Sequence, residues 1–486
     1  MIYKLRPYQE ECVKSISDYI NSDRHDPVLI VGPVGCGKSL LIAEAARLMG
    51  DKTLILQPSK ELLQQNHDKI TSYGIPATIY SASCGKKELS NMIYATLGSI
   101  KKVVDKLKEM GIRNVLIDEA HAGYSPEDGS EFMTFMNELK PKKVIGFTAT
   151  PCRLKTMSIG QVSYSQLNFI TRMRPVYFKN LIHVIQVEEM IRQGFWAPLK
   201  YETWDFNGYA LKLNSNGSEY TAESISEAVR KNGLNNLILR RLMVLKDVCR
   251  SILVFMDSVE SCNTAAEWMN AKICAGMAEV VHGGTPKKQR EAIVEGFKSG
   301  KTKVVFNYSA LGTGFDHPGL DCVIVGRPTF SFSSFYQWLG RAVRIKDGKD
   351  SALVVDCCNN SSRFGDIRKL SIENYKGYGW GMFIGDKLIT NIPMGDKVTK
   401  TDLDIKAAKK DRRRGLAQGV TAAPVPGRPD HPLGSTVMTF GKYCGWMFHS
   451  IPVSYFKFIN ETFDWDNDRN KDIKEYIDFL IKNNRL

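Results

Sequence analysis

The segment Gly32-Pro33-Val34-Gly35-Cys36-Gly37-Lys38-Ser39 constrains this chain more than any other. It matches G-x-x-x-x-G-K-[ST] and lies between an apolar run, Val28–Val31, and an amphipathic stretch, Leu40–Met49. Strand, glycine-rich turn and helix together let backbone N–H groups wrap phosphates, with a helix N-terminus favouring the negative charge. Gly32, Gly35 and Gly37 permit the close approach. Lys38 is suited to reach β/γ-phosphates, and Ser39 to ligate Mg²⁺.

Such a loop needs a parallel sheet to present it. Thr53–Leu56, Val115–Ile117 and Val144–Phe147 read as further buried strands, separated by stretches such as Glu61–Tyr73. The rhythm returns with Ile252–Phe255, Ala278–Val281, Lys303–Phe306, Cys322–Val325 and Ala352–Val355, separated by Ser261–Ala271 and Lys287–Lys298. Two α/β domains of similar layout are predicted, joined near Met157–Leu199, where Val184–Gln193 looks helical. At the end of the third strand stand Asp118 and Glu119. Asp118 is suited to hold Mg²⁺, and Glu119 to position and deprotonate an attacking water. His121 is either part of that site or a satisfied polar residue.

The charge balance bears on the partner. Lys and Arg number 66 against 52 Asp and Glu, a net +14, which points to nucleic acid or else is spread as a solvated surface. Hydrophobic residues at 43% exclude disordered and collagen-like classes for most of the chain. The eleven cysteines contain no C-x-x-C, so a zinc ribbon is not expected and free thiols in a reducing compartment are. No run reaches the ~18 apolar residues of a membrane span, and the N-terminus has no apolar signal core, so a cytoplasmic protein is expected.

The phosphate loop, Asp118-Glu119-Ala120-His121, Thr148-Ala149-Thr150-Pro151 and Gln337-x-x-Gly340-Arg341-x-x-Arg344 occur in the order of the superfamily 2 helicases and translocases of DEAH type. The chain resembles that family over residues 1–360. The resemblance implies an α/β protein with two tandem RecA-like parallel-sheet domains, using ATP and Mg²⁺. It assigns adenine contact to Gln9, assisted by Arg6, within Leu5-Arg6-Pro7-Tyr8-Gln9. Pro58, Ser59 and Lys60, then Gly98 and Ser99, resemble motifs that meet the nucleic-acid backbone; capped helix starts compete with that reading. Thr148 and Thr150 resemble the motif coupling ATP state to domain closure. In the second domain Asp257, Ser258, Gly312 and Thr313 resemble backbone contacts, while Gly314 and Asp316 would face the nucleotide. Gln337 opens the last motif, and Arg341 and Arg344 correspond to arginine fingers, which neutralise charge developing on the γ-phosphate.

The pattern departs from DEAD-box RNA helicases, which have S-A-T where this chain has Thr148-Ala149-Thr150. Gly314-Phe315-Asp316-His317-Pro318, Arg327-Pro328-Thr329 and Ser362-Arg363-Phe364-Gly365 look more like the DNA-directed group of restriction motors, XPB-like proteins and phage helicases of the UvsW kind. The resemblance implies an ATP-dependent DNA helicase or translocase of phage type, moving 3′ to 5′ on forked or branched DNA in replication, recombination or repair. An ATP-gated DNA-binding remodeller or restriction-type motor without strand separation is the alternative, with an RNA helicase behind it.

Domain bounds are expected at 1–198 and 199–396 for the two helicase domains, 397–436 for a basic flexible linker and 437–486 for a small α+β accessory domain. Lys409, Lys410 and Arg412–Arg414 make the linker either a nucleic-acid tether or a solvated spacer. The tail, with Phe440-Gly441-Lys442-Tyr443-x-Gly445, resembles a small F-G-K-Y-x-G module of bacterial and phage proteins. Lys442, Tyr443 and Trp446 could touch DNA, or Phe440, Tyr443 and Trp446 could form its core; replication or recombination proteins are candidate partners for it. Asp464, Asp466, Asp468 and Glu475 imitate a calcium loop but lack its glycine, so an acidic helix cap is favoured. The insert Asn207–Glu219 is either an exposed loop or a DNA-contacting hairpin.

Overall fold

The computed structural model describes residues 4–50, 52–159, 162–311, 315, 317–407, 433, 436–438, 443, 446–451, 453–462 and 471–483. The chain divides into two compact units, one of Met1–Tyr375 with Gly379–Val398, the other of Lys376–Tyr378 with Thr399–Leu486.

The larger unit holds two lobes. In the first, α1 (Pro7–Asn21) leads to β1 (Val28–Val31), α2 (Lys38–Met49), β2 (Thr53–Leu56), α3 (Lys60–Ser72), β3 (Thr78–Ser81), β4 (Lys86–Lys87) and β5 (Met92–Ala95). Then come α4 (Leu97–Ile100), α5 (Val104–Glu109), β6 (Asn114–Ile117), α6 (Glu131–Leu139), β7 (Lys143–Thr148), the hairpin β8 (Cys152–Ile159)–β9 (Val162–Phe169) and β10 (Asn180–Val184). The sheet runs β10-β1-β7-β6-β2-β5-β3-β4, parallel except for β4. Every residue of β1, β2, β6 and β7 is buried, as strands covered on both faces require. Helices cover those faces: α1 buries an apolar stripe of Tyr8, Cys12, Ile16 and Tyr19 at helical spacing, and α2 buries Leu41–Ala46 nearly all round. This order sets the carboxyl ends of β1, β7 and β6 side by side, the edge where α/β proteins hold ligands.

After α7 (Val187–Arg192) the second lobe contains β11 (Leu199–Thr203), α8 (Ala222–Lys231), α9 (Leu234–Val248), β12 (Ile252–Phe255), α10 (Val259–Lys272), β13 (Ala278–His282), α11 (Lys287–Lys298), β14 (Val304–Tyr308), β15 (Cys322–Val325), α12 (Phe332–Leu339) and β16 (Ala352–Asp356). Its sheet, β11-β16-β15-β12-β14-β13, is wholly parallel. One face joins a core continuous with the first lobe, and the other packs under α8, α9 and α10. The short α13 (Asn360–Phe364) and the antiparallel β17 (Leu370–Tyr375), β18 (Gly379–Ile384) and β19 (Lys387–Leu388) follow.

Two expectations need correction. The segment near Met157–Leu199 is not a plain connection: it holds most of the hairpin and then β10, which returns to the first sheet beside β1. The expected linker is helical over residues 400–407, because Leu403 is buried and Thr399 and Asp402 cap each other. Residues 408–432, with the linker arginines, lie outside the described residues, as do Phe440, Lys442 and the Asp464–Asp468 run.

In the smaller unit Val453–Thr462 and Lys471–Lys482 are helices around Met438, Phe448, Ile451, Phe456, Ile459, Ile473, Tyr476, Ile477 and Leu480. Tyr443 packs on the edge of this core against Tyr455, but Trp446 is 46% exposed and not part of it. Among the described residues ten cysteines are unbridged, and no helix is long and apolar enough to cross a membrane.

Candidate active site

The phosphate loop leaves β1 at Gly32, whose N–H donates to Thr148 O (3.0 Å), so the loop is fastened to the end of β7. Gly35 and Gly37 have φ +82° and +84°, and a Cβ on Gly37 would meet Gln9 Nε2 at 2.6 Å. α2 then starts at Lys38, leaving its first N–H groups turned towards the loop. Lys38 Nζ lies 2.8 Å from Glu119 Oε1. Ser39 Oγ donates to Asn66 Oδ1 (2.6 Å), and Asn66 Nδ2 donates to Asp118 Oδ2 (2.9 Å) and Gln57 Oε1 (3.2 Å). Asn66, on α3, thus ties the hydroxyl to the carboxylate expected to share a metal. No motif in the sequence signals it.

Glu119 sits at φ +45°, a left-handed conformation that costs energy and aims the carboxylate into the cavity. Its own N–H donates to Asp118 Oδ1 (2.8 Å). Burial pushes Glu119 up, but the charge and hydrogen bond of Lys38, with the charge of Arg341, outweigh it and hold the carboxyl below its usual range. Burial, then the Glu119 charge, push Asp118 up. Burial likewise pushes His121 down to about 4. The neutral ring has Nδ1 2.8 Å from Thr148 Oγ1 and 3.4 Å from Glu119 Oε2, so His121 belongs to the site and links Glu119 to the Thr148 motif. Arg153, also unsignalled, donates to Ala120 O, His121 O and Tyr124 O, bracing the loop from behind. Thr150 is fully buried, and its Oγ1 has no hydrogen-bond partner among the described residues.

A cavity of about 350 Å³ lies over these groups. It is lined by Gly35, Gly37, Lys38, Ser39, Asp118 and Glu119 from the first lobe and by Gln337, Arg341 and Arg344 from the second. The arginines follow α12; Nη1 of each donates to Phe315 O, at 2.6 Å for Arg341 and 3.2 Å for Arg344. Near the loop the segment after α7 bridges the lobes: Trp196 Nε1 donates to Val34 O (2.9 Å) of the phosphate loop, and Ala197 N donates to Val343 O (2.7 Å) of the second lobe.

Gln9 is not on that lining. Its Oε1 accepts from Arg6 N and its Nε2 donates to Cys36 O (2.9 Å), so the amide caps α1 and braces the loop. Arg6 does line the cavity, stacked 4.5 Å from the Phe195 ring centroid, and Phe195 lines it too. The expected backbone contacts are divided. Pro58, Ser59 and Lys60 follow β2, while Gly98 and Ser99 follow β5, the adjacent parallel strand, so both loops share one edge. Ser59 caps α3 through Leu62 N, and Gly98 has open space beside it. Ser258 caps α10. Asp257 is a correction: it is 5% exposed, accepts from Ser226 Oγ, and as a buried carboxylate is unsuited to meet a phosphate. Gly312, Thr313, Gly314 and Asp316 lie outside the described residues.

The donor set fits a magnesium ion. Hydroxyl, carboxylate and phosphate oxygens are the hard ligands it takes, with water completing the octahedron. Among the described residues no group of three His, Cys, Asp or Glu forms a metal cage.

Residues 2–153 match the family described as type III restriction enzyme, res subunit, and residues 235–346 match the helicase conserved C-terminal domain. A 51.5 kDa protein of a Lactococcus phage (isolate 7-9) is 25% identical over 332 residues, 68% of this chain and 65% of that protein. A putative ATP-dependent helicase, IRC3, of Saccharomyces cerevisiae is 24% identical over 57% of this chain, which spans only 38% of the yeast protein. Among solved structures, the ATP-dependent type ISP restriction-modification enzyme LlaBIII bound to DNA superposes with a TM-score of 0.54. That match covers 85% of this chain and 30% of the enzyme at 14% identity, a likeness of fold. With both helicase domains matched in order, the chain belongs to superfamily 2, in the group of the restriction-enzyme motors and XPB.

Proposed function

We propose that this chain hydrolyses ATP to move along DNA, tracking on one strand 3′ to 5′ and unwinding or remodelling forked or branched DNA in replication, recombination or repair. The observation that carries the reading is the single cavity shared by Lys38, Ser39, Asp118 and Glu119 of one lobe and Gln337, Arg341 and Arg344 of the other. An enzyme whose site is split between lobes can turn a change at the γ-phosphate into relative motion of those lobes.

The residues divide the work. The loop amides and Lys38 hold the β/γ-phosphates, Lys38 exchanging its carboxylate partner for phosphate. Ser39 and Asp118 would hold Mg²⁺, which would supply charge neutralisation at the phosphate oxygens. Glu119, released from Lys38, orients the attacking water and takes its proton. Arg341 and Arg344 leave Phe315 O for the γ-phosphate. The adenine lies against Phe195 and Arg6. DNA crosses the loops after β2 and β5 and continues over the second lobe.

The test is strand displacement on duplexes with 3′ or 5′ single-stranded tails and on forks, with ATP. Release from 3′-tailed and forked substrates is expected. Streptavidin displacement from DNA without strand release means a motor of the restriction type, and neither activity in an ATP-hydrolysing preparation overturns the proposal.

A further inference from the structure

The hairpin β8–β9 starts four residues after Thr148, so it grows directly out of the loop that His121 couples to Glu119. Its strands pair over eight register positions, Cys152↔Phe169 to Ile159↔Val162. At the base, Ile170 N donates to Pro151 O. β9 is held on its other side by residues 391–394, through Asn391 N to Leu167 O (2.7 Å) and Met394 N to Ser165 O (2.8 Å). An arm this well paired moves as one piece.

Halfway along, the arm meets the insert of the second lobe. Thr156 Oγ1 donates to Asn216 O (3.1 Å) and Ser165 Oγ to Gly217 O (3.4 Å). Gly217 has φ +67°, and a Cβ there would run into Thr156 Oγ1, so only glycine seats this contact. The insert is a closed turn. Asn214 Oδ1 accepts from Ser218 N and Glu219 N, Asn214 N donates to Glu219 O, and Leu213 bridges to Tyr220. It ends on Glu219, whose Oε2 accepts from Thr329 Oγ1 (2.5 Å) and Oε1 from Phe330 N (2.7 Å). Arg363 lies over the Tyr220 and Phe330 rings, 5.4 Å from each, and donates to Thr329 O. The carboxylate therefore holds the start of α12, the helix that carries Gln337 and leads to Arg341 and Arg344.

From these contacts we infer that the hairpin and insert form a strut between the lobes, with Glu219 as a positioning residue for the arginines. Displacement of the Thr148–Thr150 loop swings the arm, the arm carries the insert, and Glu219 carries the start of α12. A two-point carboxylate at a helix start transmits force better than a surface salt bridge would, since both oxygens meet groups of a fixed segment. The inference rests on the ATPase reading above.

The test compares DNA-stimulated ATP turnover of the full chain with that of Glu219→Ala, Glu219→Gln, Gly217→Val and the Gly217→Val/Glu219→Ala pair. Glu219→Ala is expected to lower kcat about tenfold while KM for ATP moves less than about twofold, because positioning acts on the transition state. Glu219→Gln, which keeps an acceptor oxygen, recovers part of the loss. Gly217→Val leaves Glu219 untouched and should cost about as much, and the pair no more than either change alone, as for residues acting through one element. Circular dichroism melts check folding; if Gly217→Val does not fold, Thr156→Val with Ser165→Ala replaces it. A hairpin-side variant with wild-type kcat, multiplicative losses in the pair, or no recovery with glutamine overturns the strut. A wild-type chain with no DNA-stimulated turnover sinks the functional reading itself.

Discussion

The first lobe brings its chemistry to the ends of its strands, whereas the second brings its own from beyond a helix. Lys38, Asp118 and Glu119 lie within a residue or a short loop of β1 and β6; Asp118 is buried, Lys38 and Glu119 are half-buried, and all three are paired and shifted in pKa. Arg341 and Arg344 stand past α12 on a segment held to Phe315 O and, through Glu219, at the far end of the helix. On the proposed mechanism two sheets of like topology play unlike parts: one is a preformed cradle, the other a movable wall. That division would suit a motor, because the arginines proposed to complete the reaction are the groups that lobe movement would withdraw.

The comparison can be tested from its strongest point downwards. Arg341→Ala should lower kcat about 10³–10⁵-fold with nucleotide affinity little changed, and Arg341→Lys should not restore it, because an ammonium lacks the planar fork; steady-state turnover with fluorescent-nucleotide binding measures both. Glu119→Gln should cost about 10²–10⁴-fold in kcat, the usual worth of a general base, while keeping ATP bound. Normal turnover in that variant would remove the base from its role. Asn66→Ala should weaken Mg²⁺ about 10–100-fold, as loss of a group orienting metal ligands does, seen as a rise in the Mg²⁺ needed for half-maximal turnover.

The smallest effect concerns stability, and each lobe supplies one case. Burial pushes His121 down to about 4, and burial with the charges of Lys346, Lys298 and Lys349 does the same to His317. Unfolded imidazole takes a proton near 6.5, the folded rings only near 4, so the unfolded chain binds more protons between those values. Both contributions are whole above about 6.5 and are lost as pH falls towards 4. The thermal midpoint of His121→Gln and of His317→Gln should therefore drop less than wild type between pH 7 and 5. An equal drop would mean that these rings are not neutral in the fold.

Much of the cradle was legible because its residues are contiguous. Val28–Val31 with Gly32–Ser39, and Val115–Ile117 with Asp118 and Glu119, put strand, turn and chemistry in one stretch. Strands β1, β2, β12 and β15 fall where the apolar runs predicted them. Asn180–Val184 escaped notice because an edge strand keeps polar residues, here Asn180 and His183. The alternating Cys152–Ile159 and Val162–Phe169 gave no hairpin expectation because Cys152–Thr156 follows the Thr148–Pro151 motif directly and the rest falls in the Met157–Leu199 segment expected to join the lobes. Asn66, Arg153, Phe195 and Glu219 share a different difficulty. Each acts across a long separation, such as 52 residues from Asn66 to Asp118 and 110 from Glu219 to Thr329, and no local pattern encodes such a meeting. Gln9 shows the converse, a residue in a recognisable motif whose amide here braces the loop.

The most direct test of the account is ATP turnover by the wild-type chain alone and with single-stranded DNA, duplex, fork, four-way junction and RNA. A site completed by a movable wall should turn over slowly alone and be stimulated strongly by single-stranded or forked DNA. Stimulation by RNA only, or turnover indifferent to every nucleic acid, would contradict it.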